Sequence, residues 1–216
     1  DRTFTIGAAP SQGGGDEPSD EPAVGTTQIE NYADLKAQYG DFLYYGIDVM
    51  EVAADGTETL TDFYVNAGDT LKILHYVKST RYTNGYELAL DFDSRFFDVT
   101  AGTGAHIDAD DPEGIVAKNE NHAMVKNGLV VTYLTQDVYN KAAYDDFGYA
   151  TENIDNIYFY AAPAAAYATP ITSDEYVFSS IVKVKDGLSD GTTGTITTVR
   201  DFYYFTDGDT DFSTEA

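Results

Sequence analysis

From Asp41 onward the chain is a succession of short segments in which apolar and polar residues alternate, separated by turn-forming Gly, Asn and Asp. The clearest segment, TNGYELALDFD, places Tyr86, Leu88, Leu90 and Phe92 on one side of a strand. Alternation with a period of two is typical of strands with one buried face. The segments that we predict as strands are 42–52, 58–66, 69–79, 85–93, 96–100, 128–135, 155–161, 175–185, 194–200 and 202–205. The pattern therefore predicts an all-β sandwich.

Composition agrees with this fold and excludes several functions. The chain has 18 Tyr and 12 Phe, and aromatic residues favour strands. A net charge of −25 excludes binding to a nucleic-acid backbone, because that binding needs clustered Lys and Arg. The absence of Cys excludes disulfides, zinc–thiolate sites and thiol nucleophiles. No stretch of the sequence has the length of a membrane span.

The region before Asp41 divides into an arm, a linker and a helix. Residues 1–10 form a strand-like arm in which the alternation of RTFTI places Phe4 and Ile6 on one side. Residues 11–26 are a Gly-, Pro- and acid-rich tract with the composition of a flexible tether. Thr27 and Glu30 have the spacing of a capping box, which predicts a helix at about 28–39 that ends at Gly40. We assign residues 27–216 to one sandwich domain, with long surface excursions at 101–127 and 136–154.

Two ordered segments suggest a family. VNAGDTLKILHYVKSTRYTNGYELALDFDSRFFDVT (65–100) contains an AGDT turn into a strand, a Gly-led alternating strand and an FDV strand. YVFSSIVKVKDGLSDGTTGTIT (176–197) contains a strand, a turn of small residues and a further strand. Together they resemble cohesin modules, the domains that hold dockerins in cellulosome-type assemblies. The resemblance implies a jelly-roll sandwich, export to the cell surface, no catalysis and a dockerin as partner.

The chain departs from the cohesin pattern at its end. Cohesins finish with one more edge strand after the turn that corresponds to 206–211, and we expect no segment here to supply it. An unfilled strand position leaves backbone groups unpaired, so it needs an occupant. We predict that the arm fills it, in the same molecule or in a neighbouring copy, where it would build a head-to-tail filament. The predicted donor residues are Thr3, Phe4, Thr5 and Ile6, and the predicted acceptor edge contains Tyr44, Ile47, Tyr203 and Phe205.

Two acidic clusters are candidate calcium sites. Asp207, Asp209 and Asp211 have the alternating spacing that opens a calcium loop, but Phe212 stands where an EF-hand requires Gly. Asp108 and Asp110 belong to the second cluster, DADDPE. Each cluster is either a Ca²⁺ ligand set or a solvated acidic turn, and we expect no other cofactor.

No catalytic motif is present, and we predict that the chain is not an enzyme. His75, His106 and His122 lie at unrelated spacings, and His75 falls within a strand. The remaining candidate is a carbohydrate-binding module, in which exposed tyrosines such as Tyr160 or Tyr167 would stack on sugars. The sequence thus leaves three hypotheses: a self-assembling extracellular subunit, a dockerin-binding scaffold domain and a glycan-binding module.

Overall fold

The strands of the chain form two sheets that face each other. The computed structural model describes residues 1–7, 27, 29–81, 85–99, 105–107, 116–135, 153–163, 169–198, 204–206 and 211–213. The linker predicted at 11–26 and residues 136–152 of the excursion predicted at 136–154 lie outside these residues, while Ile154 begins a strand. Only two short helices accompany the strands in the described part. The prediction of an all-β sandwich with a short helix is confirmed.

The elements are numbered in chain order. The strands are β1 Arg2–Ile6, β2 Leu43–Val52, β3 Glu58–Leu60, β4 Tyr64–Val65, β5 Thr70–Ser79, β6 Gly85–Asp93, β7 Phe97–Asp98, β8 Ala105–Ile107, β9 Val116–Lys118, β10 Leu129–Thr135, β11 Ile154–Pro163, β12 Phe178–Val184, β13 Thr193–Thr198, β14 Tyr204–Thr206 and β15 Asp211–Ser213. The helices are α1 Tyr32–Tyr39 and α2 Ala123–Lys126.

The larger sheet follows the order β4-β1-β13-β6-β11-β10-β8, and β14 joins it as a second partner of β6. The smaller sheet follows the order β3-β2-β5-β12-β7, with β9 also paired to β12. Among the strand pairs that the described residues form, all are antiparallel except β1 with β4. The arm at the start of the chain is therefore an interior strand of the larger sheet.

The core lies between the two sheets and is built from the alternating positions of the long strands. In β6 the predicted inward residues Tyr86, Leu88, Leu90 and Phe92 are all fully buried. Burying a side chain of this size contributes about 1.5–3 kcal/mol. The same local alternation that predicts the strands thus supplies the apolar area that holds the sheets together.

Helix α1 begins later than the capping-box pattern predicts. Its N-cap is Asn31, whose side chain accepts a hydrogen bond from the Asp34 amide at 2.9 Å. The Thr27 hydroxyl instead donates to the Asp48 carboxylate at 2.6 Å, a contact with β2 that the local sequence does not show. The predicted end is confirmed: Gly40 has φ 74° and its amide bonds the Lys36 carbonyl.

A buried lysine anchors the start of α1 to the smaller sheet. The Lys78 side chain is buried, and its Nζ donates to Asp174 Oδ1 at 2.6 Å and to the Glu30 carbonyl. Asp174 Oδ1 also accepts the Tyr32 amide at 2.7 Å. An ammonium ion without partners in such a place would be costly, so these oxygens hold the helix in position.

Part of the 101–127 excursion belongs to the core, which corrects the prediction of a purely surface segment. Met124 and Val125 of α2 are buried, and His122 caps this helix. The two-residue apolar patch is too short to give a period in the sequence, so only packing against β10 reveals it.

A short strand also follows the turn at 206–211, where we expected none. β15 pairs with β14, placing Phe212 opposite Phe205. Three residues are enough for backbone pairing but too few for a recognisable alternation.

Neither helix that the structure describes has the length and apolar character that crossing a bilayer requires.

We predict that Asp174→Asn lowers the free energy of unfolding by about 1–2 kcal/mol, because it leaves the buried Lys78 ammonium with a weaker partner. The matched control is Asp186→Asn, which weakens the exposed ion pair with Lys183 and should cost less than about 0.5 kcal/mol. Urea denaturation of both variants measures the difference. Equal losses of unfolding free energy in the two variants would show that burial of Lys78 does not increase the contribution of its ion pair to stability.

Candidate functional site

The arm lies between two strands that are far apart in the sequence. β1 runs antiparallel to β13, with Arg2 opposite Ile196 and Phe4 opposite Gly194. On its other side it runs parallel to β4, where Ile6 lies opposite Val65. We call the space between β4 and β13 that β1 occupies the arm groove.

Main-chain hydrogen bonds line both walls of the arm groove. On the β4 side, the Thr5 amide donates to the Phe63 carbonyl at 2.9 Å and the Gly7 amide to the Val65 carbonyl at 3.0 Å. On the β13 side, the Ile6 amide donates to the Thr192 carbonyl at 2.9 Å. An extended segment in this position therefore satisfies backbone groups on both neighbours.

Phe4 fills an aromatic pocket at the base of the groove. It is fully buried, and its ring makes edge contacts with Phe63 and Phe97, at centroid distances of 5.5 and 5.6 Å. Gly194 leaves room for Phe96, since a Cβ at Gly194 would lie 2.3 Å from the Phe96 side chain. Phe97 belongs to the smaller sheet, so Phe4 joins the two sheets.

The ends of the arm have different contacts. Ile6 is 4% exposed and belongs to the core, while Gly7 has φ 115°, a conformation that residues with a side chain rarely adopt. At the other end, Arg2 Nη2 donates to the Ile47 carbonyl of β2 at 3.1 Å. Thr3 is exposed and Thr5 partly so. The predicted alternation of the arm, with Phe4 and Ile6 inward, is confirmed.

The predicted acceptor residues do not line the arm groove among the residues described. Tyr44 and Ile47 lie in β2, which pairs with β5 and β3, although the Ile47 carbonyl accepts from Arg2. Phe205 lies in β14, where its backbone pairs with Tyr86 and Phe212. Tyr203 lies outside the described residues. The walls of the groove within the chain are β4 and β13, which sequence reasoning did not select.

Of the candidate calcium ligands, four lie outside the described residues: Asp108, Asp110, Asp207 and Asp209. Asp211 begins β15, where its backbone lies opposite Thr206. Within the ranges that the structure describes, no three acidic or histidine side chains converge to hold a metal ion.

His75 is buried between the sheets. Its Nδ1 and Nε2 lie 2.7 Å from the Tyr45 hydroxyl and 2.8 Å from the Ser180 hydroxyl, and its ring stacks on Phe178 at 4.2 Å. Burial lowers the pKa of His75 to about 3. Burial likewise lowers the pKa of His122, the α2 cap, to about 4. Both rings therefore have structural roles as neutral groups at pH 7.

The tyrosine candidates for sugar stacking are only partly described. Tyr160 is 45% exposed on β11, directly opposite Thr132 of β10. Tyr167 lies outside the described residues. One exposed ring in this position does not form a stacking platform by itself.

Sequence reasoning missed the residues that receive Phe4. Phe63 has φ 69°, which is uncommon for a non-glycine residue, and it directly precedes β4 beside the arm. Gly194 looked like one small residue among several in the GTTGTIT segment. No local signal distinguishes either one, because their roles depend on a strand about 60 residues or more away in the chain.

The fold and site define a two-sheet β-sandwich completed by an N-terminal strand from a distant part of the same chain. No protein-family model, curated protein or solved structure matches the chain.

We predict that acid destabilises the sandwich through His75. The pKa is about 3 in the folded state and about 6.5 in the unfolded state, so the unfolded state binds the extra proton between these values. Stability from this group is complete above pH 6.5 and falls by about 2 kcal/mol from pH 7 to pH 5. Urea denaturation across this range measures it, and His75→Gln should flatten the profile by about that amount. Parallel profiles for the two proteins would contradict the prediction.

We predict that Phe4→Ala lowers the free energy of unfolding by about 3 kcal/mol, because it empties the aromatic pocket. Thr3→Ala, at an exposed position of the same strand, is the matched control and should cost less than about 0.5 kcal/mol. Equilibrium denaturation measures both. A Phe4→Ala cost as small as the control's would mean that the arm contributes little to the fold.

Proposed function

We propose that this chain is a non-catalytic assembly module that links copies of itself, each copy placing its N-terminal strand in the arm groove of another. The copy that donates and the copy that accepts use different surfaces, so the contact is head-to-tail and extends into a filament unless it closes on itself. The cohesin-like motifs support an extracellular, surface-associated setting for such a filament.

The observation that carries the proposal is the position of β1. It is an interior strand with partners on both sides, yet it connects to the rest of the chain only through residues 8–26. A strand from a second copy would make the same hydrogen bonds and bury the same Phe4 and Ile6. Exchange between copies therefore loses no contact of the arm groove.

The linker decides which copy supplies the strand. A flexible chain of about 20 residues has a root-mean-square span of roughly 25 Å and gives its ends an effective concentration in the millimolar range. The chain's own arm therefore fills the groove in dilute solution. Copies held at a comparable local concentration, as in a surface layer, would compete with it.

The net charge of each copy also affects whether the arm groove is filled by the chain's own arm or by the arm of another copy. A net charge of −25 on each copy opposes association at low ionic strength. Salt at about 0.15 M screens charges that lie more than about 8 Å apart, so exchange should be easier to observe at that concentration and above.

We predict that shortening the linker converts monomers into oligomers. Deleting residues 9–24 leaves Gly7 joined to Thr27 by a segment that spans at most about 14 Å. The arm alone runs about 17 Å from Gly7 back to Arg2. Arg2 contacts Ile47, and Thr27 contacts the next residue of the same strand, Asp48. We therefore expect the shortened chain to lose the reach that filling its own groove requires, so light scattering at 0.15 M salt should show dimers and larger species.

The matched control replaces residues 9–24 with a Gly/Ser segment of equal length, which should remain a monomer. Thr3→Cys with Thr195→Cys gives a second measurement, since these outward residues lie opposite each other and the chain has no other cysteine. Oxidation should link the control within one chain and the shortened variant between chains. A folded, shortened variant that stays monomeric and forms no interchain disulfide would overturn the proposal.

A further inference from the structure

We propose that the arm groove is selective: it accepts an extended segment with an aromatic residue at the Phe4 position, an aliphatic residue two positions later and a glycine directly after that. The inference rests on the proposed function, because it names the partner that the groove takes. That partner is the N-terminal strand of a second copy of this chain.

The aromatic position is set by three surrounding rings and by the missing side chain of one glycine. Phe4 packs edge-on against Phe63 and Phe97, and the Phe96 and Phe97 centroids lie 4.8 Å apart. Gly194, directly opposite Phe4, gives Phe96 the space to lie against the strand. A smaller residue in place of Phe4 would leave this pocket partly empty, and cavities in close-packed interiors are costly.

The aliphatic and glycine positions are set by the other end of the groove. Ile6 lies opposite Val65, which is fully buried, so a ring in its place would overfill the core. Gly7 follows with φ 115° and donates its amide to the Val65 carbonyl. A Cβ there would lie 3.7 Å from the Asp190 side chain, an ordinary contact distance, so the requirement for glycine comes from the backbone conformation. The chain can therefore leave the groove in this direction only through a glycine.

The remaining arm residues contribute little to the choice of donor. Thr3 points to solvent, and Thr5 uses its amide for the hydrogen bond to the Phe63 carbonyl. Main-chain bonds of this kind give affinity to any extended segment, while side-chain pockets give selectivity. Arg2 adds a bond to the Ile47 carbonyl at the rim.

The chain itself contains a segment that meets every requirement of the arm groove. The sequence RTFTIG has each required residue at the required spacing, and it is seated in the groove within the same chain. A neighbouring copy presents the identical segment. Selectivity of this kind would restrict assembly to copies of this chain and to proteins with the same strand pattern.

The test uses the full chain with a protease site in place of residues 12–19, folded first and then cut. A labelled peptide of residues 1–8, DRTFTIGA, should displace the cut strand, which fluorescence anisotropy measures. The decisive competitor carries Phe4→Ile together with Ile6→Phe, so its composition is unchanged and only the order differs. It should compete at least about 30-fold more weakly, whereas a Thr3→Ala peptide should compete within about threefold of the native one.

If the cut strand does not exchange with the peptide, a second measurement tests selectivity through retention of the cut strand. The same exchange of Phe4 and Ile6 is built into the full chain, which is cut after folding and passed over a sizing column. The native strand should stay with the body, and the reordered strand should separate from it. Equal competition, or equal retention where there is no exchange, would overturn the inference.

The two proposals fail separately. Oligomers of the shortened-linker variant combined with an unselective groove would overturn the selectivity alone. A selective groove in a chain whose shortened-linker variant stays monomeric would overturn the assembly function alone.

Discussion

The packing of Phe4 between the two sheets is the contact on which the rest of the sandwich depends. Its strand joins β4 to β13 within the larger sheet, and its ring meets Phe97 of the smaller one. Without this strand the larger sheet would end at β13, and the rings around Phe4 would face water. A five-residue segment thus closes a core whose other strands begin at Leu43 or later in the chain.

In this arrangement an interior strand of the sheet is joined to its neighbours by a long segment of chain. Most interior strands are held in place by short connections, whereas β1 is joined to the body by residues 8–26. The groove recognises the strand through backbone bonds and two inward side chains, which are properties of the segment and independent of the linker. These contacts complete the fold within one chain, and the proposed function rests on the same contacts forming between copies.

Local pattern gave close bounds for four of the long strands, whereas β12 begins three residues after its predicted start and β11 ends two residues after its predicted end. It was insufficient for the short elements. β2, β5, β6 and β10 begin and end within one residue of their predicted bounds, because alternation over several residues is a local property. β8, β9 and β15 have three residues each and carry no period of their own. Thr27 has the sequence of a cap, but its hydroxyl bonds Asp48, and a tertiary contact of this kind overrides the local preference.

The sequence by itself determined that the chain is built from strands, that Phe4 and Ile6 lie on one side of the arm, and that His75 falls within a strand. Each of these follows from the two-residue repeat of the extended backbone. Only the tertiary structure decided that the arm lies between β4 and β13, that Gly194 makes room beside it, and that Tyr45 and Ser180 meet His75. These pairings join residues far apart in sequence, and their register is set by which side chains fill a shared core.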